Sequence, residues 1–152
     1  MTPSHIQNVA AFSDPVLSVR GLTVSLPKNM ERAYAVEDIS FDLHRGDILC
    51  IIGESGSGKS VTANAIMGLL APVIRVTSGS IRFQGIDLLS ADPKRLQGLR
   101  GRAVSIIFQD PLSALNPLMT IGDQILEVLE THKVGTPSSR QEKVQELLSE
   151  VG

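Results

Sequence analysis

Aromatic side chains are scarce in these 152 residues: four Phe, one Tyr and no Trp, 3% in all. A surface that holds single-stranded nucleic acid by stacking bases needs such rings, so that class is excluded. Positive charge is not in excess either, and a net charge of −2 leaves no basic footprint for a phosphate backbone. Cysteine occurs once, at Cys50, which excludes an internal disulfide and fits a reducing compartment. Set inside an apolar run, it reads as a small buried hydrophobe, not a reactive thiol. Long apolar runs are absent as well. The longest, residues 66–74, contains Gly68 and Pro72 and cannot span a bilayer. The opening Met1-Thr2-Pro3-Ser4-His5-Ile6-Gln7-Asn8 has neither a basic start nor an apolar core, so no secretory signal is expected. His5, His44 and His132 lack metal-ligand spacing, and His132 reads as a solvated helix-end residue. The expectation is a soluble, cytoplasmic chain.

What is present is globular: 42% hydrophobic and 20% charged residues. The length suits one cored domain and is too short for two of ordinary size. Residues 1–15 read as a loose leader ending at Asp14-Pro15. Leu17, Val19, Leu22, Val24 and Leu26 alternate as in a strand, with the register broken near Gly21. Pro27-Lys28-Asn29 signals a turn, and a polar loop runs to Arg32. Val36, Ile39, Phe41 and Leu43 form a second strand region, closed by His44-Arg45-Gly46. Asp47-Ile48-Leu49-Cys50-Ile51-Ile52 reads as a short strand buried on both faces of a parallel sheet. Ser78 to Gly85 reads as a strand with its turns. Residues 92–100 read as a short helix capped by Asp92 with Pro93 at its first position. Residues 104–108 read as another buried strand. Clustered strands followed by strand–helix alternation predict an α/β core with an antiparallel addition.

Further on the character becomes helical. Ile121, Ile125, Val128 and Leu129 share one face, as do Val144, Leu147, Leu148 and Val151. Gly135-Thr136-Pro137-Ser138-Ser139 breaks the two, with Ser138 or Ser139 placed to cap the second helix. Two amphipathic helices without a third partner predict that the sequence is a piece of a longer protein.

The chemistry concentrates in Gly53-Glu54-Ser55-Gly56-Ser57-Gly58-Lys59-Ser60, followed by Val61. It meets the phosphate-loop pattern G-x-x-x-x-G-K-[ST] at every fixed position. Glycines let successive N–H groups turn toward one phosphate chain, and the next helix aims its positive end at the same anion. Lys59 supplies a mobile point charge for the outer phosphates, and the Ser60 hydroxyl is placed to ligate Mg²⁺. Ala63, Ile66, Met67 and Leu70 continue at helical spacing until Pro72. The bland reading, a flexible Gly/Ser loop, does not account for the flanking strand and helix. A dinucleotide fingerprint fails because Val61 stands where its third glycine belongs. The pattern points to a nucleoside triphosphate.

A second feature follows in Ile106-Ile107-Phe108-Gln109-Asp110-Pro111-Leu112-Ser113-Ala114-Leu115-Asn116-Pro117. Here a buried strand delivers Gln109 to the edge where parallel sheets bind ligands. Its amide can ligate Mg²⁺ and orient a water. Taken alone, a glutamine at a strand end is usually a solvated loop residue.

With the glycine loop, this segment resembles the ATP-binding subunits of ABC transporters, in the oligopeptide/dipeptide importer group. Ala35-Val36-Glu37-Asp38-Ile39-Ser40-Phe41 and Thr120-Ile121-Gly122-Asp123-Gln124-Ile125 extend the match over residues 16–152. The resemblance implies a P-loop NTPase core with an antiparallel β addition and the start of a helical subdomain near residue 112, incomplete at 152. It implies ATP and Mg²⁺ as cofactors, with residues 53–61 on the nucleotide. It gives Lys59 and Gln109 catalytic roles, and Ser60 and Gln109 the metal. It also implies a second ATP-binding subunit facing the first head to tail, membrane permease subunits, and an indirect link to a solute-binding protein. The setting would be the cytoplasmic side of the inner membrane, peripherally attached, driving uptake of peptides or similar solutes. The signature segment, the acidic strand, the catalytic glutamate and the switch histidine are expected beyond Gly152. The adenine-stacking aromatic of the family falls at Leu26 or Met30, with Tyr34 nearby. An ABC-type ATPase acting on DNA is the alternative, and it is disfavoured by the acidic charge and by the lack of a coiled-coil insertion between Lys59 and Gln109. A further alternative is a nucleotide-binding fragment that does not itself hydrolyse.

Overall fold

A computed structural model describes residues 14–152, so residues 1–13 of the expected leader lie outside the described residues. The chain divides into two compact units, the first ending at Ala91 and the second running Asp92–Gly152. In the first, strands β1 (Leu17–Ser25), β2 (Tyr34–Leu43), β3 (Arg75–Phe83) and β4 (Ile86–Asp87) form one antiparallel sheet in the order β2-β1-β3-β4. Helix α1 (Lys59–Met67) lies between β2 and β3 in the chain.

The register break expected near Gly21 is a bulge. Pairing along β1 steps from Val19 to Leu22 while β2 steps only from Phe41 to Ile39, and β3 slips likewise between Arg20 and Thr23. One extra residue reverses the strand's parity, so Val19 on one side of it and Leu22 and Val24 on the other all face the core. All three, with Ile81 of β3, are fully buried. Side chains stitch the bulge: the Gly21 N–H donates to Ser40 Oγ at 2.8 Å, and the Asp38 N–H donates to Thr23 Oγ1 at 3.1 Å.

The bulge also dictates a glycine opposite. Gly79 has φ +96, and a Cβ there would lie 2.5 Å from the Gly21 carbonyl oxygen and 2.6 Å from that of Arg20. Gly79→Ala combines a disfavoured backbone with a clash against main chain that cannot yield without opening the sheet. It should lower unfolding free energy by at least about 3 kcal/mol, read as a drop in the urea midpoint.

Arg20 and Asp42 form an ion pair across β1 and β2 on the half-exposed side of the sheet. The guanidinium's hydrogen bond holds the Asp42 carboxyl below its usual range, and the same contact raises Arg20. A depressed carboxylate stabilises the fold fully above its unfolded pKa, and that contribution is lost as pH falls through the folded value. The stability gap between wild type and Asp42→Asn should therefore be open at neutral pH and close on acidification. Solvent screening keeps it small. Parallel urea titrations across pH measure it.

Two sequence expectations differ from the structure. Residues 47–52 and 105–108 join no ladder, and Val104 just before the second stretch makes only an isolated bridge, to Arg100. Ile48, Ile52 and Ile107 are more than nine-tenths exposed, and Cys50 is exposed rather than buried. A strand apolar on both faces is buried when it sits in a sheet with layers packed over both faces, and among the described residues no strand pairs with these. Helix α1 also ends sooner than Pro72. Gly68, in the left-handed conformation at φ 63, closes it by donating its N–H to the Ala65 and Asn64 carbonyls. Its buried residues are Thr62, Ala65 and Met67, while Ala63, Ile66 and Leu70 are half-buried.

The second unit is helical. Helix α2 (Pro93–Leu99) starts as expected, with the Asp92 carboxylate accepting from the Lys94 N–H at 2.8 Å. A 3₁₀ turn (Leu112–Ala114) precedes helices α3 (Ile121–Thr131) and α4 (Pro137–Val151), which pack on each other around buried Val144. Thr136, not Ser138 or Ser139, caps α4: it exchanges side-chain and backbone bonds with Ser139. Pro137 explains the shift, since its fixed φ and missing N–H suit the first helical position and put the cap one residue before it.

Candidate phosphate-binding site

The loop at residues 53–58 is built to turn and then to start a helix. The Glu54 backbone carbonyl accepts from the Ser57 N–H at 3.2 Å, with Gly56 at φ +79 completing the turn. Gly58, at φ +95, is the N-cap of α1, and its carbonyl receives the Thr62 N–H at 2.8 Å and the buried Thr62 hydroxyl at 3.0 Å. No acidic residue occupies the first turn of α1, so its positive end is not neutralised locally.

Gly58 is also where the loop meets the sheet. A Cβ there would lie 2.3 Å from the Ala35 carbonyl oxygen and 2.8 Å from Val36 Cγ2. The buried start of β2 thus seats the base of the loop, and only glycine fits the seat.

Lys59 folds back over the loop. Its ammonium donates to the Gly53 and Glu54 carbonyls, each at 2.7 Å, and makes a longer 3.3 Å contact with Ser57 Oγ. Two carbonyls fix the charge while the third donor is weakly engaged and exchangeable for an anionic oxygen. Ser60 is exposed in the first turn of α1, and its hydroxyl has no protein partner among the described residues; Val61 beside it is half-buried. Residues 53–61 therefore form one continuous structure. A cleft of about 410 Å³ adjoins it, lined among others by Arg32, Tyr34, Val36, Glu37, Ser57 and Lys59.

Gln109 belongs to the second unit, where it is exposed in a bend just after residues 105–108. Of the candidates near a nucleobase, Tyr34 lines both the cleft beside Lys59 and a neighbouring hollow, and of these two Leu26 and Met30 line only the latter. His132 caps the end of α3, its N–H donating to the Glu130 and Val128 carbonyls. Sequence reasoning missed Arg32. Its guanidinium donates to the Gly56 carbonyl from a loop that reads only as polar. It also missed the seat that Ala35 and Val36 provide; the close spacing of glycines in the loop is the only hint of such crowding. Among the described residues no helix is long and apolar enough to cross a membrane.

Comparison with known proteins extends this geometry. The family model described as "ABC transporter" matches residues 36–152. The dipeptide transport ATP-binding protein DppD of Bacillus subtilis is 46% identical over 140 residues, covering 91% of this chain and 42% of that protein. The peptidoglycan transport ATP-binding protein YejF of Agrobacterium fabrum is 44% identical over 141 residues, covering 92% of this chain and 26% of that protein. The chain thus spans less than half the length of either relative. Among solved structures, the dimeric structure of the bacterial ABC transporter cassette MJ0796 superposes with a TM-score of 0.69 at 25% identity, over 88% of this chain and 56% of that one. The fold is accordingly that of a P-loop NTPase cassette, the antiparallel sheet being its β addition. With the glycine loop built as described and the family model running from the second strand onward, the chain belongs to the ABC transporter family.

Proposed function

We propose that this chain binds MgATP at residues 53–61 and that, within the complete protein, it powers import of peptides or similar small solutes through a membrane permease. The observation that carries the reading is the Lys59 ammonium, tethered by two loop carbonyls with its third donor exchangeable, above a loop seated on the sheet through Gly58. The loop fits a phosphate chain because its base is fixed, its tip is exposed and the Lys59 ammonium lies against it. The names of DppD and YejF, dipeptide and peptidoglycan transport ATP-binding proteins, support ATP as the nucleotide and a peptide-like cargo.

In this reading the N–H groups of Gly53, Glu54, Ser55, Gly56, Gly58, Lys59, Ser60 and Val61 form the cradle around the phosphates, with the Ser57 N–H held by the Glu54 carbonyl. Lys59 steadies charge on the outer phosphates, and the free Ser60 hydroxyl offers an oxygen to Mg²⁺. Magnesium, when bound, supplies charge neutralisation between the outer phosphates. Gln109, whose amide oxygen can ligate a metal and whose amide can hold a water, would take those two roles. Residues 16–152 make the N-terminal part of a nucleotide-binding domain whose helical subdomain begins near 112. A second cassette completes the site head to tail; that the cassette MJ0796 is dimeric supports the pairing. The assembly sits peripherally on the cytoplasmic face of the inner membrane, against permease subunits fed by a solute-binding protein. Closure on ATP and release after hydrolysis bias two states of the permease. Reconstitution of the intact protein with its permease in vesicles tests this: uptake of a peptide should require ATP in the compartment that holds the subunit. Uptake that proceeds without ATP contradicts the proposal.

A further inference from the structure

One contact near the site has no place in the phosphate pattern. Arg32 stands in the β1–β2 loop, which is closed by the Leu26 N–H donating to Ala33 at 2.8 Å and the Met30 N–H donating to Pro27 at 3.1 Å. From there its guanidinium donates to the Gly56 carbonyl, 24 positions along the chain. Among the described residues this is the one hydrogen bond that reaches the loop tip, residues 54–57, from outside residues 53–60.

Its target is informative. The Gly56 carbonyl and the Ser57 N–H are opposite edges of a single trans peptide, so fixing one fixes the other. The Ser57 N–H donates to Glu54 within the loop, and Arg32 takes the other edge. That peptide is held on both sides, while its neighbours at the exposed tip have only the loop's own bonds. The same hairpin seats the base of the loop through Ala35 and Val36. Base and tip are thus braced from one connection, and the brace at the tip is a cation on the rim of the cleft that holds Lys59.

We propose that Arg32 is a positioning residue for the phosphate loop: by holding the Gly56–Ser57 peptide it sets the tip in a receptive geometry before the phosphates arrive. This rests on the phosphate reading of residues 53–61. Because Arg32 acts on the loop and not on a base or sugar, its removal weakens every ligand that uses the cradle by the same factor. Arg32 is exposed, so the fold does not depend on it.

The test compares wild type, Arg32→Ala and Arg32→Lys in the intact protein, by calorimetric titration with MgATP and with magnesium tripolyphosphate. Arg32→Ala should weaken both ligands by the same factor of about five to ten, the size of one charge-assisted hydrogen bond lost at an exposed site. The unfolding midpoint should stay unchanged. The Ser57 amide should exchange with solvent faster in Arg32→Ala, and Arg32→Lys, which keeps a cationic donor, should recover most of the affinity. Wild-type affinity for both ligands in Arg32→Ala overturns the role of Arg32 alone, and so does a loss confined to MgATP. Wild type that binds neither ligand overturns the phosphate reading, and this inference with it.

Discussion

Lys59→Ala should reduce ATP turnover by the intact protein at least about a hundredfold, the scale on which a preorganised group facing developing phosphoryl charge contributes. The structure adds a second reason. The ammonium ties the Gly53 and Glu54 carbonyls together, so alanine removes the charge and also the strut that folds the loop back on itself. Lys59→Arg should not rescue turnover. A planar guanidinium is not a compact charge that can sit between two carbonyls at 2.7 Å and still offer a third donor to phosphate. Steady-state phosphate release with saturating peptide and permease measures both variants. Turnover near wild type in Lys59→Ala would remove Lys59 from the chemistry.

Gly58→Ala should cost more stability than any other single methyl added to the loop. Alanine must adopt φ +95 and also place its Cβ 2.3 Å from the carbonyl oxygen of Ala35, a buried residue of the paired strand β2 whose backbone cannot swing aside. Strain and overpacking together amount to about 3–5 kcal/mol, or a fall in melting temperature of roughly 10 °C or more for a chain this size. Gly56→Ala is the control. Its φ is +79, but a Cβ there meets nothing within 4 Å, so only the backbone cost of about 1–3 kcal/mol applies. Thermal unfolding of the two variants side by side separates the close approach from the backbone conformation. Equal losses would mean that the seat against β2 contributes nothing.

The glycine loop was legible in the sequence because its chemistry is local: the residues that turn, the charge and the hydroxyl lie within eight positions. The bulge at Gly21 was legible for a similar reason, since a change of parity in an apolar alternation has few other causes. Burial of residues 47–52 and 104–108 was not. The apolar runs are real, but burial belongs to a strand and its neighbours together, and pairing partners cannot be read from the strand alone. The cap of α4 was readable and misassigned; Pro137 at the first helical position already named Thr136. Arg32 could not have been found. Its partner is a backbone carbonyl, which carries no residue type to recognise, and nothing in a polar loop distinguishes one arginine from a solvated one.

The central claim is that main-chain amides of residues 53–61 receive a triphosphate. Amide chemical shifts of the isotope-labelled protein, followed while MgATP is added to millimolar concentration, address it most directly. The account predicts saturable shifts concentrated in the Gly53, Glu54, Ser55, Gly56, Ser57, Gly58, Lys59, Ser60 and Val61 amides, reproduced in large part by magnesium tripolyphosphate. Shifts that leave these amides still while MgATP saturates elsewhere, or no shifts at all, would contradict it.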